Sequence, residues 1–143
     1  MEQFIEIAER ETKRWYINGK FHREDGPAIE GADGSKNWYI NGELHREDGP
    51  AIEYPNGSKC WFINGKRHRE DGPAIEYANG EKQWWIDGKR HREDGPAIEY
   101  SNGTKFWFIN DEPINLEYII KNNPNGYGPW SPSDLAKLKL KYL

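Results

Sequence analysis

The chain has almost none of the aliphatic residues that usually fill a protein core. Its 143 residues contain no valine and only six leucines, but fourteen isoleucines, seven tryptophans and eight tyrosines. A low aliphatic content combined with a high net charge is typical of disordered chains. Here the formal net charge is only −4, and the tryptophans and tyrosines are too numerous for a disordered tail. We therefore expect a folded chain whose core is built from Trp, Tyr and Ile.

Three further absences narrow the class of protein. No apolar run approaches the length of about 18 residues that a membrane-spanning helix needs, and the first residues lack the pattern of a signal peptide. Cys60 is the single cysteine, which leaves no internal disulfide and no cysteine-based zinc site. Interspersed charges of both signs argue against a nucleic-acid-binding surface. We expect a cytoplasmic protein that contacts neither membranes nor nucleic acids.

The chain is built from a 23-residue repeat. The string His-Arg-Glu-Asp-Gly-Pro-Ala-Ile-Glu occurs four times unchanged, at 22–30, 45–53, 68–76 and 91–99. Fixed periods of this length are typical of solenoids and linear arrays, whose terminal units are degenerate because they cap open ends. We predict a degenerate N-terminal cap strand at 1–14, four repeats plus the start of a fifth at 15–110, and a C-terminal cap at 111–143. The recurring tryptophans are Trp15, Trp38, Trp61, Trp84 and Trp107.

Two turn dipeptides per unit, each Asn-Gly or Asp-Gly, predict two β-hairpins. Within residues 51–68 these are Asn-Gly pairs at 56–57 and 64–65, and Asn-Gly favours a two-residue type I′ turn. Such turns place Ile52 opposite Trp61, and Phe62 opposite Arg67. Alternation along the strands then predicts a packed face of Ile52, Tyr54, Trp61, Ile63 and His68, and an outer face of Glu53, Cys60, Phe62 and Arg67. The sequence leaves open whether Lys-Arg-His forms a separate strand.

The predicted outer face carries an aromatic row that differs between units, whereas Trp and Ile of the packed face do not change. The cross-strand partners of the row change from apolar residues to arginines along the chain. An exposed arginine on an aromatic ring contributes about 0.5–1 kcal/mol. We take this face as the candidate binding surface, with residues Tyr16, Phe21, Tyr39, Leu44, Phe62, Arg67, Trp85, Arg90, Phe106 and Phe108.

The repeat pattern ends near residue 110. Residues 113–122 have helical spacing, and Ser131-Pro132 is a good helix start. Residues 137–142 alternate lysine with apolar residues, as a strand would, so 133–143 is left as either helix or strand. We predict a mainly β fold: an elongated, curved antiparallel sheet of tandem β-hairpin repeats with a short α-helical C-terminal cap.

The unit resembles the MORN repeat and its bacterial MORN-like variants. The similarity rests on Asn18-Gly19-Lys20, on Asn64-Gly65-Lys66-Arg67-His68 and on their equivalents, over about residues 12–110. The MORN pattern has Gly directly after the His, where this chain has Arg-Glu-Asp-Gly-Pro. The fuller string resembles repeat proteins common in bacteriophages and large viruses. The resemblance implies a sheet that binds partners, in the host cytoplasm if the source is viral, and it implies no activity.

The four histidines, each followed by Arg-Glu-Asp, are the natural candidates for a metal or acid–base site. Equivalent residues in successive units lie about 10 Å apart, whereas a His–metal bond is about 2 Å long. We interpret the string as structural, with Asp-Gly-Pro as a tight turn whose Gly adopts an unusual φ. The histidine stacks on Trp and donates to a carbonyl, and Arg and Glu pair between units. We predict no catalytic residue, no metal and no cofactor, and a structural role for His22, His45, His68 and His91.

Three functions remain. The first is a non-enzymatic protein-binding module that holds a host protein through the aromatic outer face or through the divergent C-terminal region. This partner is an anti-phage defence protein if the chain is phage-encoded. The alternative is a sponge that holds a nucleotide-like ligand between Trp85 and Arg67 or Arg90. The third, a hydrolase that uses the repeated string, is disfavoured because enzymes rarely need four identical sites. A further expectation is a homo-oligomer in which two chains pair through the exposed edges of the open sheet.

Overall fold

The computed structural model describes residues 3–7 and 11–115, which form 18 short β-strands and, in this part of the chain, no α-helix. Within the same residues no helix has the length and apolar character to cross a membrane. The strands are β1 (Gln3–Ile7), β2 (Lys13–Ile17), β3 (Lys20–Phe21), β4 (Ile29–Glu30), β5 (Lys36–Asn37), β6 (Tyr39–Ile40), β7 (Glu43–Leu44), β8 (Ile52–Glu53), β9 (Lys59–Cys60), β10 (Phe62–Ile63), β11 (Lys66–Arg67), β12 (Ile75–Glu76), β13 (Lys82–Gln83), β14 (Trp85–Ile86), β15 (Lys89–Arg90), β16 (Ile98–Glu99), β17 (Lys105–Ile109) and β18 (Glu112–Ile114).

Most strands belong to one open antiparallel sheet. Its order is β1-β2-β4-β5-β8-β9-β12-β13-β16-β17-β18, with β3 paired to β2 at the side. Each complete unit contributes two neighbouring strands to this sheet, so the array advances by about 9.6 Å per unit. The predicted mainly β, antiparallel array of hairpins is confirmed.

A second set of hairpins branches from the sheet as two-stranded ribbons, β6-β7, β10-β11 and β14-β15. In the third unit Phe62 pairs with Arg67, as predicted. Asn64 and Gly65 both have positive φ, 48° and 77°, as a type I′ turn requires. Lys66–Arg67 is therefore a strand of its own in the ribbon.

The other Asn-Gly turn contradicts its prediction. Ile52 pairs with Cys60 instead of Trp61. Tyr54 N donates to Ser58 O at 2.9 Å, Gly57 N donates to Tyr54 O at 3.0 Å, and of the Asn-Gly pair only Gly57 has a positive φ, 91°. This is a type I turn followed by a glycine bulge, which holds one more residue than a type I′ turn.

The bulge redistributes the side chains between the two faces of the sheet. Ile52 and Tyr54 lie with Cys60 and Phe62 around one cavity, on what we call the groove face. Trp61, Ile63 and His68 line a different cavity with the His-Arg-Glu-Asp-Gly-Pro loops, on what we call the loop face. The prediction of one packed face for Ile52, Tyr54, Trp61, Ile63 and His68 is wrong, because a one-residue shift moves every side chain of a strand to the other face.

In each copy of the repeated string an arginine stacks on the tryptophan and forms hydrogen bonds with the loop. The Arg69 guanidinium carbon lies 3.9 Å from the centroid of the Trp61 ring. Its Nε donates to Asp71 at 3.0 Å, and its Nη1 donates to Pro73 O at 3.0 Å and to Glu76 at 3.1 Å. Arg and Glu thus pair within one unit, and the prediction of pairing between units is wrong. The equivalent arginines are Arg23, Arg46 and Arg92.

The glycine of this string makes room for that arginine. Gly72 is not among the positive-φ residues, so the prediction of an unusual φ is wrong. A Cβ atom at Gly72 would lie 2.9 Å from the Arg69 guanidinium carbon. Because three hydrogen bonds hold this guanidinium, only glycine fits without displacing it.

Each histidine joins its unit to the next one. Asn64 N donates to His45 Nδ1 at 3.0 Å, and beside it Gly65 N donates to Leu44 O at 2.8 Å. Because Nδ1 accepts, the imidazole proton is on Nε2, which lies 3.6 Å from Glu47 Oε1. The histidine side chain therefore accepts a hydrogen bond from a backbone amide. The prediction that it donates to a carbonyl is wrong. Equivalent bonds involve His22, His68 and His91.

The core consists of small alanines together with larger isoleucine and aromatic side chains. Ala74 is fully buried; its N donates to Gln83 O at 2.8 Å and its O accepts from Trp61 N at 2.7 Å. Ile75 is 3% exposed. The other alanines of the repeated string are also fully buried, and they are Ala28, Ala51 and Ala97.

The two ends of the sheet differ from the inner units. At one end β1 pairs with β2 over five residues. At the other end Pro113 and Ile114, predicted to begin a helix, lie in strand β18. The rest of the predicted helical cap, from residue 116 onward, lies outside the described residues.

Candidate functional site

The predicted aromatic row lies along the ribbons, and its first members are in contact. Tyr16 pairs with Phe21, and their rings stack with centroids 4.9 Å apart. The Phe21 ring lies 5.2 Å from the Tyr39 ring of the next ribbon. Tyr39 pairs in turn with Leu44, which is half-buried. In this half of the array the row is aromatic and uncharged.

In the later units arginines alternate with the rings. The Arg67 guanidinium carbon lies 5.9 Å from the Phe62 centroid and 5.0 Å from the Trp85 centroid. Arg90 follows, 6.0 Å from Trp85 and 4.1 Å from Phe108. Both arginines are within cation–π distance of two rings.

The two arginines differ in their ionic partners. Arg90 Nε donates to Asp111 at 2.7 Å, and this hydrogen bond holds the pKa of the Asp111 carboxyl below its usual value. Arg67 is exposed, and among the described residues it makes no ion pair. Arg67 is therefore the cation of the row that is available to a ligand.

Two predicted members of the row differ from the others. Phe108 ends the row beside Arg90 but is buried, with 9% of its surface exposed. Phe106 pairs with Ile98 in the main sheet and packs edge-on against Tyr100 at 5.9 Å. Phe108 is therefore part of the core, and Phe106 lies in the main sheet at the position that corresponds to Cys60.

A second exposed aromatic row, which was not predicted from the sequence, lies on the groove face. Tyr54, Tyr77 and Tyr100 are 46%, 41% and 39% exposed, whereas Tyr54 was expected on the packed face. Each precedes a bulged turn, which brings it to the groove face. The signal was present in the sequence as a tyrosine that recurs every 23 residues beside an Asn-Gly pair.

The two rows enclose a groove. Its central cavity of about 280 Å³ has Ile52, Ile75 and Cys60 among its lining residues, with Tyr54 and Tyr77 on one side and Phe62 and Arg67 on the other. Ser58 also lines the cavity, and its Oγ accepts a hydrogen bond from Ala78 N at 2.9 Å. In the described part of the chain, the cavity lining is thus mainly apolar and aromatic, with Asn56 and Ser58 as polar residues and Arg67 as its cation.

The Cys60 thiol and the Tyr77 hydroxyl in the groove are not activated as nucleophiles. Burial raises the pKa of the Cys60 thiol, and the positive charge of Arg67 only partly opposes this effect. Burial likewise raises the pKa of the Tyr77 hydroxyl. Both groups are neutral near pH 7, so they offer packing surface and hydrogen-bonding capacity to a ligand.

We expect Cys60 to react slowly with thiol reagents. Because the thiolate is the reactive form and Cys60 is 8% exposed, its alkylation near pH 7 should be at least about tenfold slower than in the urea-unfolded chain. The rate should rise with pH. Lys59→Cys in a Cys60→Ser background provides an exposed neighbouring thiol as control. Equal rates at the two positions would contradict the described burial.

His45, His68 and His91 lie on the loop face with Trp38, Trp61 and Trp84, away from the groove. Within residues 3–7 and 11–115, no three or more His, Cys, Asp and Glu side chains are arranged to hold a metal ion. No family model matches the chain, and no curated protein matches it.

Proposed function

We propose that the protein is a non-enzymatic protein-binding module whose groove face holds a segment of a partner protein. The observation that supports this function is the pair of exposed aromatic rows above an apolar floor. Tyrosine, tryptophan and arginine are the residues that most often dominate binding energy at protein interfaces. Here the floor is Ile52 and Ile75, and the free cation is Arg67.

A rigid scaffold favours this function. The ribbons that carry Phe62 and Trp85 are joined to each other through Arg69 N to Trp85 O at 3.1 Å and Gly88 N to Arg67 O at 2.9 Å. Side chains held on such a lattice lose little conformational freedom on binding. The expected partner segment has an apolar side chain for the groove and a carboxylate for Arg67.

A narrower form of the proposal identifies the partner as a host protein of anti-phage defence. Its support is the resemblance of the repeat to bacteriophage proteins. The groove itself favours a protein partner of any origin.

The position of Arg67 also favours a second candidate, a nucleotide-like ligand. A guanidinium between two rings, 5.0 and 5.9 Å away, combines a phosphate-binding group with stacking surfaces. The protein-binding function is preferred because the exposed tyrosines extend the surface over three units.

Affinity capture with matched variants tests the proposal. The groove variant carries Tyr77→Ser and Arg67→Ser, and the control carries Glu47→Ser and Glu70→Ser on the loop face. We expect the wild type and the control to retain the same host protein, and the groove variant to bind it at least about tenfold more weakly by calorimetry. Unchanged binding by a folded groove variant would overturn the proposal. Heat with nucleotides and none with the captured protein would favour the second candidate.

A further inference from the structure

Three equivalent clefts open on the loop face, one between each pair of successive His-Arg-Glu-Asp-Gly-Pro loops. The cleft around Trp61 has a volume of about 770 Å³. The clefts around Trp38 and Trp84 each measure about 790 Å³. Each cleft also contains an isoleucine and a histidine of its own unit, which are Ile40 with His45, Ile63 with His68, and Ile86 with His91.

The tryptophans of these clefts remain accessible. Trp38, Trp61 and Trp84 are half-buried, whereas the terminal Trp15 and Trp107 are 9% and 6% exposed. The arginine of the same unit stacks on each of these rings, at 3.9, 3.9 and 3.8 Å. The remaining exposed part of each ring gives every inner unit aromatic surface at the same place. Its position between two loops makes it the floor of a site for an extended chain.

Each cleft is negatively charged. Two arginines and four carboxylates line the cleft around Trp61, a net charge of −2; they are Arg46, Arg69, Glu47, Asp48, Glu70 and Asp71. The arginines are already paired, since Nε of Arg46 and of Arg69 donates to Asp48 and Asp71 at 2.9 and 3.0 Å. The side chains of Glu47 and Glu70 are 84% exposed. The charge that complements such a cleft is positive.

The distance between successive clefts matches the repeat distance of a polyproline II peptide. Successive clefts are about 9.6 Å apart, because each unit adds two strands at about 4.8 Å. A polyproline II helix has three residues per turn and rises about 3.1 Å per residue, so every third side chain faces the same way at about 9.3 Å. Residues on one face of a β-strand are about 6.6 Å apart and do not match.

We propose that the loop face binds a polyproline II peptide segment with lysine or arginine at every third residue. Each basic side chain lays its aliphatic part along Trp and Ile and places its cationic end between the glutamates of two loops. Prolines between the basic residues pack on the aromatic surface, as they do in other aromatic-lined grooves. Three clefts engage one peptide together, so the second and third contacts form at a high effective concentration and strengthen the binding. This site is separate from the groove face.

Binding of synthetic peptides to the full chain tests this proposal. The probe is a capped peptide of four Lys-Pro-Pro triplets, and the matched control has the same composition with lysines at every second residue. We expect the period-three peptide to bind at least about tenfold more tightly, by calorimetry and by tryptophan fluorescence. Equal affinity for the two peptides would overturn the proposal. It would show that the lysines are attracted by the negative charge alone and that their spacing does not matter.

Protein variants locate the site. Glu47→Gln, Glu70→Gln and Glu93→Gln together remove three charges without changing side-chain size, and they should weaken binding of the period-three peptide by about tenfold or more. Tyr77→Ser on the groove face should leave this affinity unchanged. Loss of binding through Tyr77→Ser, or undiminished binding by the glutamine variant, would place the peptide elsewhere and overturn the proposal.

Discussion

Replacing Arg69 with alanine should lower the free energy of unfolding by about 2–3 kcal/mol. The substitution removes the stacking of the guanidinium on Trp61 at 3.9 Å and the donor to Pro73 O at 3.0 Å. It also removes the bonds to Asp71 and Glu76, of which the first adds little because the Asp71 side chain is 87% exposed. The loss is large because one side chain holds the loop against its tryptophan.

Arg67→Ala is the matched control, since it removes the same kind of side chain two residues away. Arg67 is exposed, and within the described residues its side chain makes no ion pair and lies within cation–π distance of two aromatic rings. We therefore expect a loss of at most about 1 kcal/mol. Urea midpoints of the two variants measure the difference. A midpoint for Arg69→Ala equal to that of Arg67→Ala would show that the repeated string does not stabilise the fold in this way.

Enlarging Ala74 to leucine should lower the free energy of unfolding by about 1–3 kcal/mol. Ala74 has no exposed surface, and its backbone cannot move away because it is bonded to Trp61 on one side and to Gln83 on the other. Ala78→Leu is the control, because Ala78 is an exposed turn residue of the same unit.

Thermal unfolding and amide exchange check this prediction. The Ala74→Leu variant should melt at a lower temperature and exchange the Trp61 amide faster, because that amide donates to Ala74 O. The Ala78→Leu variant should behave as the wild type. Equal melting temperatures for the two variants would contradict the close packing around Ala74.

The features of the fold that depend on local sequence were predictable. The repeat period and the type I′ turn at Asn64-Gly65 follow from the spacing and from two residues that tolerate positive φ. Asn56-Gly57 uses the same dipeptide differently, with Gly57 as a bulge and the Asn56 side chain accepting from Ser58 N at 2.9 Å. Nothing in the dipeptide distinguishes the two turns. A type I′ turn was therefore expected at Asn56-Gly57 too, and the predicted pairing of Ile52 with Trp61 is off by one residue.

The candidate site was predictable in part for the same reason. Pairs within one ribbon, such as Phe62 with Arg67, depend only on the type I′ turn and were correct. The tyrosine row depends on the bulge and was missed. The roles of Arg69 and His45 depend on contacts across loops and between units, which spacing alone does not reveal.

The bulged turn brings Cys60 to the groove face with Ile52 and Ile75, and the groove depends on this placement. Nuclear Overhauser effects from the Cys60 β protons measure the proximity of Cys60 to the two isoleucines most directly, because both isoleucines pair with Cys60 in the main sheet. We predict strong effects to the methyl groups of Ile52 and Ile75. A two-residue turn would instead pair Cys60 with Glu53, and strong effects between those two residues without effects to Ile52 would contradict the groove and the function proposed for it.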